Sequence, residues 1–105
     1  MAGKHDVYVY QDPNSGTFKV RPAVSFGSAG KKFSFRNLTE FTVNLTFPDG
    51  LMNEGTNLPI PATESADFHI LVDADGFYAY QVGVAVDGDE WEAIGESDPS
   101  MIVDA

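Results

Sequence analysis

The sequence contains no cysteine, and among its 105 residues only six are basic and two are histidine. Each shortage removes a class of chemistry. Without cysteine there is no disulfide framework and no thiolate ligand or nucleophile. Six Lys and Arg against 16 Asp and Glu leave a formal charge of −10. Phosphate backbones are held by cations that displace counterions, so nucleic acid and anionic membrane surfaces are not expected partners. A partner protein with a basic surface, or a divalent cation, is compatible with this balance. No apolar run approaches the ~20 residues of a membrane-spanning helix. The opening Met1-Ala2-Gly3-Lys4-His5-Asp6 has no signal-peptide apolar stretch. The expected location is cytoplasmic if this N-terminus is native, and periplasmic or extracellular if a leader has been removed.

Catalytic patterns are equally sparse. Two histidines and no cysteine offer no Ser-His-Asp or Cys-His arrangement. Gly27-Ser28-Ala29-Gly30 lacks the Lys-Ser/Thr and the following helix of a phosphate-binding loop. His69 alternates with Phe68 and Ile70, which assigns it to the solvent face of a strand, and His5 lies near a terminus. No enzyme activity and no cofactor are expected.

What the chain does have is aromatic and β-branched residues at period two. Eight Phe, four Tyr and one Trp supply core material, and 105 residues suffice for one domain, taken as 1–105. Val7 and Val9 alternate with Tyr8 and Tyr10 before the turn Asp12-Pro13-Asn14-Ser15-Gly16. Phe18 and Val20 open a second strand that Pro22 interrupts, as at an edge or a bulge. Val24 and Phe26, then Phe33 and Phe35, mark the next strands. Phe41, Val43, Leu45 and Phe47 give the cleanest alternation. Residues 48–64 read as a long loop, Phe68 to Val72 as a strand, and Tyr78, Tyr80, Val82, Val84 and Val86 as another. A polar stretch over 87–99 precedes a short last strand around Met101-Ile102-Val103. Seven or so strands, with no helical period, predict an all-β antiparallel sandwich or barrel; an immunoglobulin-like sandwich is the alternative on pattern alone.

Two segments carry more than pattern. Phe35-Arg36-Asn37, a short loop, and Val43-Asn44-Leu45-Thr46-Phe47 form one, and Gly76-Phe77-Tyr78-Ala79-Tyr80-Gln81-Val82 the other. With Gly30-Lys31-Lys32 and Ile60-Pro61-Ala62-Thr63 in the same order, this resembles the cupredoxins, the plastocyanin-like copper proteins, over most of the chain. The resemblance implies a Greek-key cupredoxin-like sandwich. It also implies where copper ligands would stand: Val43 and Ala85 at the two histidine positions, Val82 at the cysteine position. A type-1 site needs two imidazoles and a thiolate, so the resemblance implies the scaffold without its metal. Strand parity puts Val43 and Val82 on inward faces, where they are expected to lie close together.

The expected function is therefore a non-catalytic binding or accessory domain without type-1 copper. Its protein partner is expected at the end carrying loops 38–42, 48–64 and 87–99, with Trp91, Phe41, Leu51 and Met52 as contact residues. Trp91 has a second reading, folding back to cap the barrel. The alternative function is a calcium-type cation module built on the acidic turns, with Asp73, Asp75, Asp87, Asp89 and Glu90 as oxygen ligands.

Overall fold

A computed structural model describes residues 5–95 and 98–104. Among them are eleven strands and no helix: β1 (Val7–Gln11), β2 (Phe18–Arg21), β3 (Val24–Ser28), β4 (Lys32–Asn37), β5 (Thr42–Thr46), β6 (Asn57–Ile60), β7 (Ser65–His69), β8 (Gly76–Ala79), β9 (Gln81–Val86), β10 (Asp89–Glu92) and β11 (Ser100–Asp104). They form three hydrogen-bonded sheets, ordered β2-β1-β4-β7, β10-β9-β5-β6 and β3-β11-β8. β8 and β9 are separated by Tyr80 alone, so one extended run serves two sheets.

The result is a β-sandwich, with two departures from a purely antiparallel one. β1 pairs with β4 in parallel, and β3 pairs with β11 in parallel. Both follow from chain order, because each pair is joined by segments that leave the sheet and return in the same direction. Two strands also lie in stretches whose sequence reads as loop. β6 occupies part of 48–64, and its Pro59 is tolerated because β6 is a sheet edge. β10 occupies part of 87–99 and closes a hairpin through Asp87 and Gly88, both at positive φ (50° and 87°).

The core follows the alternation. Val7, Val9, Phe18, Val20, Phe33, Phe35, Val43, Leu45, Phe47, Val82 and Val84 point inward and are buried. Phe35 sits at its centre, with its ring 5.4–5.9 Å from those of Phe33, Phe47, Phe68 and Tyr80. Such edge-on aromatic groupings add to plain burial. β3 has the phase opposite to its apolar pattern: Ser25 is buried, whereas Val24 and Phe26 face out. Gly27, on the inward phase, explains part of this. A Cβ there would fall 2.4 Å from Ile70 Cδ1, so the strand must present its smallest residue to that side chain.

Candidate functional site

The connection between β4 and β5 is held by a buried amide. Asn37 Nδ2 lies 2.7 Å from the Phe41 carbonyl and 3.1 Å from the carbonyls of Ile60 and Pro61. Its Oδ1 accepts the backbone N–H of Thr39. Thr63 N–H donates to the Thr39 carbonyl, so loops 38–41 and 61–64 are fastened together. The β9–β10 turn lies at this same end, since Ala85 opposes Thr42. Phe41 is half-buried, its ring edge-on to Phe18.

Residues 47–56 lie at the other end of β5, which separates them from loops 38–41 and 87–88. The expectation of one loop cluster is corrected accordingly. Leu51 and Met52 are also corrected: both are buried, with the Leu51 carbonyl accepting the Leu71 N–H at 2.9 Å and Met52 bridging to Ile70. They present almost no surface to a partner. An apolar pair between turn residues was read as exposed because its burial depends on the distant chain around Ile70.

Trp91 lies on β10 rather than in a loop, and it does not cap the barrel. It is in register with buried Val84, but β10 is the sheet edge and Trp91 is 54 % exposed. The acidic turns are divided. Asp73 and Asp75 precede β8, whereas Asp87 follows β9 and Asp89 and Glu90 open β10, so the two groups stand at opposite ends of the extended run 76–86. Among the described residues no three His, Asp or Glu side chains converge as a metal would require. Glu90 Oε2 instead accepts from Asn44 Nδ2 at 3.1 Å.

His69 is on the solvent face, as its alternation predicts, and its Nδ1 lies 2.7 Å from Glu54 Oε2. Its backbone N–H donates to Glu54 Oε1. Partial burial disfavours the charged Glu54 carboxyl, but the bonds from His69 outweigh it and hold the pKa below its ordinary value. His5 packs edge-on against Tyr8, so the two histidines have separate partners.

A surface that the sequence reading did not single out lies on the three-stranded sheet. Ile102 is in register with Phe26 on one side and with Phe77 on the other. This row points outward, with Phe26 73 % and Phe77 67 % exposed. Val24 and Ala79 continue it, both opposite Ser100. The signal was present: Met101-Ile102-Val103 is apolar on both faces, and Phe77 breaks the inward phase of Tyr78 and Tyr80. A strand apolar on both sides is either doubly covered or exposes a patch.

No protein-family model matches the sequence, and no curated protein matches it. Comparison with solved structures gives a purple cupredoxin from Nitrosopumilus maritimus. It matches with a TM-score of 0.54 and 11 % identity, covering 96 % of this chain and 100 % of that one. The fold is cupredoxin-like. At this identity the likeness concerns the backbone alone. In the cupredoxin-like frame, Val43 and Val82 are both buried, on the inward faces of neighbouring strands. Val43 opposes Val84 and Leu45 opposes Val82, making Val43 and Val82 diagonal neighbours, about 7–8 Å apart between Cα atoms. Ala85 does not join them. It pairs with Thr42 and Glu90 on the outward face.

Proposed function

We propose that this chain is a non-catalytic, cupredoxin-like binding domain that works without type-1 copper and docks a protein partner on the β3-β11-β8 face. The observation carrying the proposal is the outward row Phe26–Ile102–Phe77. Contiguous exposed aromatic surface is uncommon on a monomeric domain and characterises interfaces, whose anchors are often aromatic. Asp104 shares this face, and Asp75 stands immediately before β8. The fitting partner therefore presents apolar surface rimmed by Lys or Arg, and the charge of −10 steers it in.

The copper-free part rests on residue chemistry. Blue-copper sites take two imidazoles and a thiolate. The sequence has no thiolate, aliphatic side chains fill the two inward positions, and the third faces away. These residues do not fit the metal. The non-catalytic part rests on the same residue types, since neither histidine is paired with a nucleophile among the described residues.

The experiment compares capture of source-cell proteins by wild type, a Phe26→Ser/Phe77→Ser double variant and Trp91→Ala. Both altered surfaces are exposed, so all three should melt alike. A captured basic protein lost with the double variant, retained by Trp91→Ala and weakened by salt supports this face. Capture that needs Trp91 instead moves the interface to the β9–β10 hairpin. Capture by none of the three removes the partner reading.

A further inference from the structure

The six basic residues are not scattered. Lys19 and Arg21 on β2, with Lys32 and Arg36 on β4, occupy the outward phase of the β2-β1-β4-β7 sheet, so four of the six share one face. Tyr8 and Tyr10 stand between them: Tyr8 is in register with both Arg21 and Arg36, and Tyr10 is in register with Lys19. Lys32 reaches Asp67 at 3.9 Å, whereas Lys19, Arg21 and Arg36 have no ion-pair partner among the described residues. The acidic β10 hydrogen-bonds in a different sheet, and only the chain just beyond it reaches β2, where Ile94 bridges Lys19. At physiological salt the field of a charge decays over about 8 Å. Composition alone therefore conceals a locally cationic face on an acidic chain.

Part of this face is concave. A cleft of about 580 Å³ is lined by Tyr10, Lys19, Arg21, Pro22, Ala23 and Gly95, among others. Its walls are β2, residues 22–24 and Gly95. Val20 N–H donates to the Ile94 carbonyl at 3.0 Å, and Ile94 forms a parallel bridge to Lys19. Gly95 makes the close approach feasible, because a Cβ there would fall 2.5 Å from the Val20 carbonyl oxygen and 2.8 Å from Ala23 Cβ. The volume lies within the range of small-molecule sites, about 300–1,000 Å³, which pair apolar walls with a few placed charges.

We infer that this cleft binds a small organic anion, a planar apolar body carrying a carboxylate, with the Arg21 guanidinium and Lys19 ammonium meeting the anionic group. Arg offers a forked donor pair matched to a carboxylate, and Lys adds a mobile point charge. Tyr10, Pro22 and Ala23 supply the surface for the apolar body. The cleft adjoins the β3-β11-β8 face at Val24, which lines both, but the inference rests on Lys19 and Arg21 of β2 and not on the Phe26–Ile102–Phe77 row.

The test is a ¹H–¹⁵N NMR titration of the full chain with 2-naphthoate, alongside the neutral 2-naphthylmethanol. Naphthoate is expected to shift Tyr10, residues 19–24 and Gly95, and to bind more tightly than the alcohol. Arg21→Gln and Lys19→Gln should each weaken naphthoate about tenfold and leave the alcohol unchanged. Arg21→Lys should retain part of the affinity. Lys31→Gln, in the turn after β3, should change nothing. Equal binding of acid and alcohol, equal losses with Lys31→Gln, shifts centred on Phe26 and Phe77, or no shifts at all would each overturn the assignment.

Discussion

Asn37 and Thr39 form a closed polar unit inside the apolar core: Asn37 Oδ1 accepts the Thr39 N–H at 2.8 Å and lies 2.7 Å from the Thr39 hydroxyl. Both residues are buried. The amide nitrogen serves carbonyls from two further connections, so a single side chain ties β4, β5 and β6 together at one end of the sandwich.

Asn37→Ala should accordingly cost about 2–3 kcal/mol, because it takes the acceptor from the buried Thr39 N–H and one donor from each of the Phe41, Ile60 and Pro61 carbonyls. Denaturant melts measure the loss. Asn37→Asp should be more destabilising at neutral pH than in mild acid, since a carboxylate there would face carbonyl oxygens.

Tyr80 presents the opposite case. Its ring is buried against Phe35 and Phe47, and its hydroxyl has no hydrogen-bond partner. Burial raises its pKa above the ordinary 10.0; the nearby Ser25 hydroxyl, which opposes this, donates to the Ser100 carbonyl instead. The folded state thus keeps the phenol protonated. That contribution is fully present below pH 10 and is lost as pH rises toward the raised value. Tyr80→Phe should stabilise the protein by about 1 kcal/mol at neutral pH and blunt its alkaline loss of stability, read by melting against pH.

Glu54 makes a small contribution on the acid side of the same profile. Its lowered pKa means that its contribution is present above the ordinary 4.5 and disappears as pH falls through the folded value. As an exposed pair with His69 it contributes under about 1 kcal/mol. Glu54→Gln should melt at a slightly lower temperature at neutral pH and converge with wild type once pH falls below the folded value.

Metal addition distinguishes scaffold from chemistry. Copper(II) should produce no intense visible band, because that absorption needs a thiolate and the sequence has none. Calcium should leave the melting temperature unchanged, since the described acidic side chains do not converge. A blue band or a calcium-dependent rise in melting temperature would contradict these expectations.

Legibility differed between levels. The inward phase of β5 and of Tyr78 to Val84 was readable because buried faces impose strict alternation, and the Phe35-Arg36-Asn37 and Gly76-to-Val82 segments pointed to the cupredoxin-like fold. β10 was missed although Asp87-Gly88 between Val86 and Asp89 is the two-residue turn that hairpins prefer; acidic residues masked an edge strand that needs no apolar face. The phase of β3 is not legible from its pattern, since apolar Val24 and Phe26 face solvent while Ser25 and Gly27 face in. Leu51 and Met52 could not be assigned locally, because what buries them is distant in sequence. The cationic cleft was hidden by net charge, a sum that carries no positions.

The placement of β11 has a consequence for biosynthesis. It is the last strand among the described residues, yet it is the middle one of its sheet, flanked by β3 and β8. Until residues 100–104 have left the ribosome, neither neighbour has its sheet partner, and Met101 and Val103 are missing from the core. The nascent chain therefore reaches this architecture only after residues 100–104 have emerged, and until then it exposes two unpaired strands of the kind that holdase chaperones shield.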